Sequence, residues 1–322
     1  MRREDKRLSG VRYFYSVLLF IGIFAVAPLL PQEYSGKLPE FRVGVDVNLV
    51  MFYASVVDRN NRFVSGLDQN GFRVLEDGVE QKIESFARED VPVSMGIVLD
   101  LSGSMRGKTS QVNRAALAFL QAGNPGDEFF LIGFNDRVEL LQDYTGDIDE
   151  ISDALENIVV AGSTHLYDAI YLGVEKARAG SRSKKALVVI TDGADNTSYY
   201  SLKELITEIR ASDVQVFCIG LMDDFPRGGI FGRWRNSEAK TYHDALVSIS
   251  EESGGRAFFP REVSEIHGIV EEIARDLREQ YSIGYFSSNK ARDGAFRTVR
   301  IELTGKSDGM TIRHRGGYFA PR

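Results

Sequence analysis

Asp100-Leu101-Ser102-Gly103-Ser104 puts one carboxylate and two hydroxyls at alternate positions of a short segment that closes the apolar run Met95–Asp100. Three hard oxygens turned toward one point, without imidazole or thiolate beside them, suit Mg²⁺, Mn²⁺ or Ca²⁺. Gly103 lets such a loop turn sharply. The same residue types also suit a helix N-terminus, because Ser and Asp are common caps, so the pentapeptide alone supports either reading. A second carboxylate follows a second apolar run, where Leu187-Val188-Val189-Ile190 leads into Thr191-Asp192-Gly193. Between the two lies Gly162-Ser163-Thr164-His165-Leu166-Tyr167-Asp168, in which Thr164 precedes a helical face.

The elements that must position these residues are legible as an alternation. From Val91 to Asp276 strand-like apolar runs (Met95–Asp100, Phe129–Phe134, Arg137–Leu141, Ala186–Thr191, Val214–Gly220, Arg256–Phe259) are separated by helical patterns. Val112, Ala115, Ala116 and Phe119 share one helical face, as do Leu166, Ile170 and Val174. Further helices are predicted over Leu202–Arg210, Tyr242–Glu252 and Val263–Glu279. Strands buried on both faces and joined by right-handed crossovers predict an α/β domain with a doubly wound, mainly parallel sheet. In such a sheet ligands bind beyond the carboxyl ends of the strands, where the strand order reverses. Both carboxylate loops fall there.

The flanks read differently. Phe41–Phe86 alternates apolar and polar residues, with turns at Asp58-Arg59-Asn60-Asn61 and Asp77-Gly78, which predicts about four strands. Tyr281–Phe286, Phe296–Leu303 and Met310–Arg315 predict more strands, with a turn at Ser307-Asp308-Gly309. Neither flank has enough strands to bury an apolar face alone. The expectation is therefore one β-sandwich-like module shared by residues 40–88 and 280–322, with the α/β domain of residues 91–278 inserted between them; two independent caps are the alternative.

Hydrophobic residues make up 43% of the 322, enough for a sizeable core. The formal charge is −7, and the opening twelve residues carry five basic and two acidic groups, so the remainder is near −10. An acidic body of that kind is repelled by phosphate backbones, which argues against nucleic acid as a partner. Tyr13–Gln32 carries no charge and follows Arg2, Arg3, Lys6, Arg7 and Arg12. A basic flank before such an apolar stretch reads as a signal peptide or a retained signal anchor over residues 1–32. Ala25-Val26-Ala27 has the form of a cleavage site, and Pro28 behind it hinders cutting there. The protein is thus expected to be exported, either periplasmic, on the cell surface or secreted, and to meet a membrane only through this segment. Cys218 is the single cysteine, which excludes an intrachain disulfide, and the four histidines show no zinc-type spacing.

Asp-x-Ser-x-Ser, a Gly-Ser-Thr loop and Thr-Asp-Gly, in that order, resemble the von Willebrand factor type A domain over roughly residues 91–278. In that family these positions form a metal-ion-dependent adhesion site. The resemblance implies that Ser102, Ser104 and Thr164 ligate one divalent cation directly, Mg²⁺ first with Mn²⁺ or Ca²⁺ as alternatives. It implies that Asp100 and Asp192 ligate it directly or through water. It also implies that one coordination position stays open for an Asp or Glu of a protein partner, and that the chain is not an enzyme. Phe72–Gly78, Tyr281-Ser282-Ile283-Gly284-Tyr285 and Arg315-Gly316-Gly317-Tyr318 are similar to the flanks of a bacterial subfamily called VWFA-related.

Other readings remain. Gly103-Ser104-Met105-Arg106-Gly107-Lys108-Thr109 resembles a phosphate loop, but three residues separate its glycines where four are needed. On that count Lys108 is a solvated first-turn residue. A structural envelope protein with a vestigial metal site is a further alternative. No G-x-S-x-G frame surrounds Ser102 or Ser104, against a hydrolase. Met222–Arg235 interrupts the pattern after Gly220 with the only Trp, and is read as a loop. In it Arg233 and Trp234 are the candidate partner-binding residues, since Trp and Arg are favoured at binding hot spots.

Overall fold

A computed structural model of the protein describes residues 49–88, 90–195, 197–221, 229–305 and 309–322, with the side chains of 229–238 outside that description. The signal or anchor segment, the first alternating residues of the N-terminal flank and most of the Ser307-Asp308-Gly309 turn therefore lie outside the described residues.

The chain enters with strands β1 (Leu49–Val57), β2 (Phe72–Glu76), β3 (Val79–Gln81) and β4 (Ile83–Ala87). Asp77 and Gly78, both at positive φ (48° and 82°), make the two-residue turn between β2 and β3. The α/β part then runs β5 (Val93–Asp100), α1 (Thr109–Gln121), β6 (Glu128–Phe134), β7 (Val138–Thr145), α2 (Ile148–Glu156), α3 (Leu166–Arg178) and β8 (Lys184–Thr191). It continues with α4 (Leu202–Ala211), β9 (Val214–Gly220), α5 (Gly229–Ser253), β10 (Ala257–Phe258) and α6 (Ile266–Arg278). The chain closes with β11 (Tyr281–Phe286), β12 (Phe296–Leu303), β13 (Thr311–Arg313) and β14 (Gly317–Phe319).

The central sheet has the order β10-β9-β8-β5-β6-β7, parallel throughout except for the antiparallel edge strand β7. Every residue of β5 is buried, because helices cover both faces. Met95, Ile97 and Leu99 pack with Phe119 of α1 and Ile273 of α6, while Val98 packs on the other side with Ile170 and Val174 of α3. The strand is so close to its neighbours that a Cβ on Gly96 would lie 2.1 Å from the Phe130 ring and 2.5 Å from Leu187. Strand order reverses between β5 and β8, and the two carboxylate loops leave the sheet from those adjacent strands.

The outer segments share two four-stranded sheets, ordered β13-β1-β11-β4 and β14-β12-β2-β3. β1 pairs antiparallel with β11, with Phe52 opposite Ile283, and β2 with β12, with Val74 opposite Ile301. Phe52, Ala54, Tyr281, Ile283 and Tyr285 from one sheet meet Phe72, Val74, Val299 and Ile301 from the other in one core, which makes the pair a sandwich. Strands far apart in sequence thus complete one another, as the strand count of each flank requires. Within the unit from Val47 to Arg322 the sandwich is tied to the α/β layers through α6. Asp276 accepts from Ser55 of β1 and pairs with Arg313 at 2.8 Å, and Lys184 Nζ donates to the Leu277 carbonyl at 2.5 Å.

Several elements differ from expectation. β7 begins at Val138 and extends to Thr145, and α2 follows it unannounced, because the run Ile151 to Leu155 shows only two buried positions. α5 is longer than the predicted Tyr242–Glu252. Its backbone is helical from Gly229, so Arg233 and Trp234 sit on a helix rather than on the expected loop. Polar residues around Asn236 and Lys240 broke the apolar period there without breaking the helix. Met222–Gly228 lies outside the described residues. Among the described residues no helix is long and apolar enough to cross a membrane.

Candidate metal site

Asp100 ends β5 and is 1% exposed. Its Oδ1 accepts from the Ser102 backbone N–H at 2.8 Å, and its Oδ2 accepts from Thr191 Oγ1 at 2.6 Å. Burial pushes the Asp100 carboxyl up from its ordinary range, and the nearby Asp192 charge adds to the rise, while the hydrogen bonds from Ser102 and Thr191 oppose it.

Ser102 starts a single 3-10 turn over Gly103–Met105, but its side chain makes no capping bond. Its Oγ instead lies 3.0 Å from Ser104 Oγ. The helix-cap reading of this serine is therefore set aside by geometry. Ser104, which is exposed, donates to Asp192 Oδ1 at 2.7 Å. Asp192 leaves the end of β8, and its side chain is fully buried. The hydroxyls and carboxylates of Ser102, Ser104 and Asp192 thus form one chain across the switch point.

The third loop closes over these two. Gly103 N–H donates to the Gly162 carbonyl at 3.2 Å, and Ala161 N–H to the Leu101 carbonyl at 2.9 Å. Gly162 adopts φ +89°, a conformation that favours glycine. Ser163 donates through its N–H and its Oγ to Asp136 Oδ1, at 2.7 and 2.6 Å, and these bonds hold the Asp136 carboxyl below its usual range. Thr164 is 5% exposed, and a Cβ placed on Gly193 would stand 3.2 Å from its Oγ1. The hydroxyl of Thr164 therefore adjoins the residue that follows Asp192.

Three contributors escaped the sequence reading. Thr191 was read only as a strand end, yet its hydroxyl anchors Asp100, and its carbonyl receives the Tyr242 hydroxyl at 3.0 Å. Asp136 shapes the Gly-Ser-Thr loop from the β6–β7 turn, with no sequence pattern linking the two. Lys108, expected to be solvated, instead places Nζ 2.6 Å from Asp192 Oδ2 with its side chain 17% exposed. The cause is the turn at Gly103–Met105, which aims the first residue before α1 back across the sheet edge.

The oxygens gathered here fit a hard divalent cation: two buried carboxylates, three hydroxyls and no nitrogen or sulfur ligand. Among the described residues no group of three or more His, Cys, Asp or Glu could hold a metal. A softer, zinc-type cage is thus not what the described side chains offer.

A doubly wound sheet with an Asp-x-Ser-x-Ser loop, a Thr loop and a Thr-Asp-Gly loop meeting at its switch point defines a class of adhesion and interaction domains. The family model for the von Willebrand factor type A domain matches residues 95–272, and the chain belongs to that family. Domains of this family commonly mediate protein–protein interactions through the metal-ion-dependent site. Among curated relatives, inter-alpha-trypsin inhibitor heavy chain H1 of Sus scrofa is 29% identical over 224 residues, covering 63% of this chain and 25% of its own. Heavy chain H4 of Homo sapiens is 28% identical over 213 residues, covering 60% and 22%. The chain thus spans about a quarter of the length of the curated relatives it matches. Among solved structures, proximal thread matrix protein 1 from the mussel byssus superposes with TM-score 0.48 and 17% identity over 63% of this chain and 51% of that one.

Proposed function

We propose that this protein is an extracytoplasmic binding module that captures a carboxylate of a protein partner through one divalent cation held by Asp100, Ser102, Ser104, Thr164 and Asp192. The observation that carries the reading is the Ser102–Ser104–Asp192 chain of oxygens, joined to buried Asp100 by the same loop. Two buried carboxylates near one another favour a cation, and Lys108 offsets only one of the two charges. Asp100 is held by Thr191, so its position does not depend on the cation. Ser102 and Ser104 turn neutral oxygens inward, which lets the site hold a divalent charge without a third carboxylate. A bound cation of the Mg²⁺ or Mn²⁺ type supplies an open coordination position for a hard anionic oxygen.

Asp or Glu of a partner meets that requirement, and the acidic body disfavours nucleic acid. Membership of a family of interaction domains supports capture rather than catalysis as the reading. Arg233 and Trp234 are the further contact residues of this proposal, on grounds of residue type. Residues 1–32 supply export, and residues 13–30 an anchor if they are retained. The domain division keeps residues 91–278 as the binding domain and residues 40–88 with 280–322 as the module that carries it.

Calorimetry on the exported part tests the proposal. Mg²⁺ or Mn²⁺ should bind one to one, and Asp100→Ala should abolish the heat. Trp234→Ala should weaken partner capture while leaving metal binding intact. Absence of heat and of any metal-dependent stability change, with acetate present to complete the shell, would leave the vestigial-site reading in its place. ATP-dependent stabilisation lost in Lys108→Ala would favour the nucleotide reading.

A further inference from the structure

Lys108 lies inside the candidate site, on the carboxylate that the metal would share. Its Nζ is 2.6 Å from Asp192 Oδ2, while Asp192 Oδ1 is taken by Ser104 Oγ at 2.7 Å. Only 17% of the Lys108 side chain and none of the Asp192 side chain reaches solvent. Water therefore screens this ammonium poorly from whatever else binds there.

We infer that Lys108 sets the charge of the site so that the cation is held weakly and the partner carboxylate strongly. The inference rests on the metal-capture reading above. Counted by formal charge, Asp100, Asp192 and Lys108 together give the site one negative charge. A divalent cation converts that to one positive charge, and a partner carboxylate then brings it to neutrality. Without Lys108 the same steps run from two negative charges to neutrality and then to one negative charge. The lysine thus disfavours the metal step and favours the carboxylate step by like-charge repulsion and opposite-charge attraction.

Lys108→Gln and Lys108→Arg, compared with wild type, separate this from a structural role. Mn²⁺ is titrated by calorimetry, and acetate is then titrated into the Mn²⁺-loaded proteins. Lys108→Gln should bind Mn²⁺ about tenfold more tightly and acetate about tenfold more weakly, as expected for one unit charge in a poorly screened site. Lys108→Arg, which keeps the charge, should retain the wild-type order. Without metal, Lys108→Gln should melt at a lower temperature, since Asp192 loses its buried counter-ion. If it does not fold in chelator, it is prepared in Mn²⁺ and its affinity read by chelator competition. Equal affinities in wild type and Lys108→Gln, or shifts of the same sign for metal and acetate, would overturn the inference and leave metal capture standing. A wild type that binds no Mn²⁺ even with acetate present would overturn both.

Discussion

Ser104 Oγ stands 2.7 Å from Asp192 Oδ1, a bond that joins residues 88 positions apart and bridges the ends of β5 and β8. Of the two partners only Ser104 is exposed, the Asp192 side chain being buried, so the bond can be removed from the serine side with little disturbance of the core.

Ser104→Ala removes that bond and one of the inward hydroxyls. Ser104 is exposed, so the thermal midpoint in chelator should fall only slightly, with a stability change within about 1 kcal/mol. Binding of Mn²⁺, followed by calorimetry, should be lost or weakened at least tenfold.

Asp100→Asn keeps the shape and the acceptor for the Ser102 N–H but removes a buried charge whose carboxyl burial disfavours. In chelator the variant should be as stable as wild type or more so, while metal binding disappears. Urea unfolding of the metal-free protein measures this. A loss of more than about 2 kcal/mol would mean that Asp100 serves the fold through its hydrogen bonds rather than the cation.

Gly96→Ala tests the packing that sets the end of β5. The added methyl would meet Phe130 and Leu187 well inside contact distance, on a strand with no free space on either face. Unfolding free energy should fall by about 1–3 kcal/mol or more. Loss of metal affinity should accompany it if β5 shifts.

Lys184 gives a pH signature. Burial lowers its pKa from 10.5 to about 8, against the pull of Asp90, Asp276 and Asp127, with Arg278 adding to the fall. Between about pH 8 and 10.5 the unfolded chain still holds a proton that the folded protein has lost. The unfolded state then binds more protons, so stability rises with pH across that window. Lys184→Met should lack this rise. The difference between wild type and variant in urea titrations should grow in favour of wild type by on the order of 2 kcal/mol from pH 8 to 10.

The sequence made the site legible where chemistry depends on residue type at fixed spacing. Asp100, Ser102 and Ser104 sit on one loop, and Asp192 follows an unbroken apolar run, so residue order alone puts both at one sheet edge. Thr164 needed the resemblance, because nothing in its local pattern says that its loop folds over the other two. Lys108 was misread for a geometric reason: its direction is set by a 3-10 turn that composition does not announce. The antiparallel direction of β7 and the early start of α5 were hidden in the same way.

β1 lies between β11 and β13, and β2 between β12 and β3. β1, and one edge of β2, therefore lack their partners until β11 to β14 have been synthesised. The α/β layers have no such dependence, since β5 to α6 is a contiguous stretch. The α/β layers can then form before the sandwich, with β1 unpaired and the β2–β3 hairpin left with one open edge in the interval. Such edges are open to pairing with other chains. Synthesised in this order, the protein is open to such pairing until β11 to β14 have emerged, and a chain cut after Arg278 would keep those edges open.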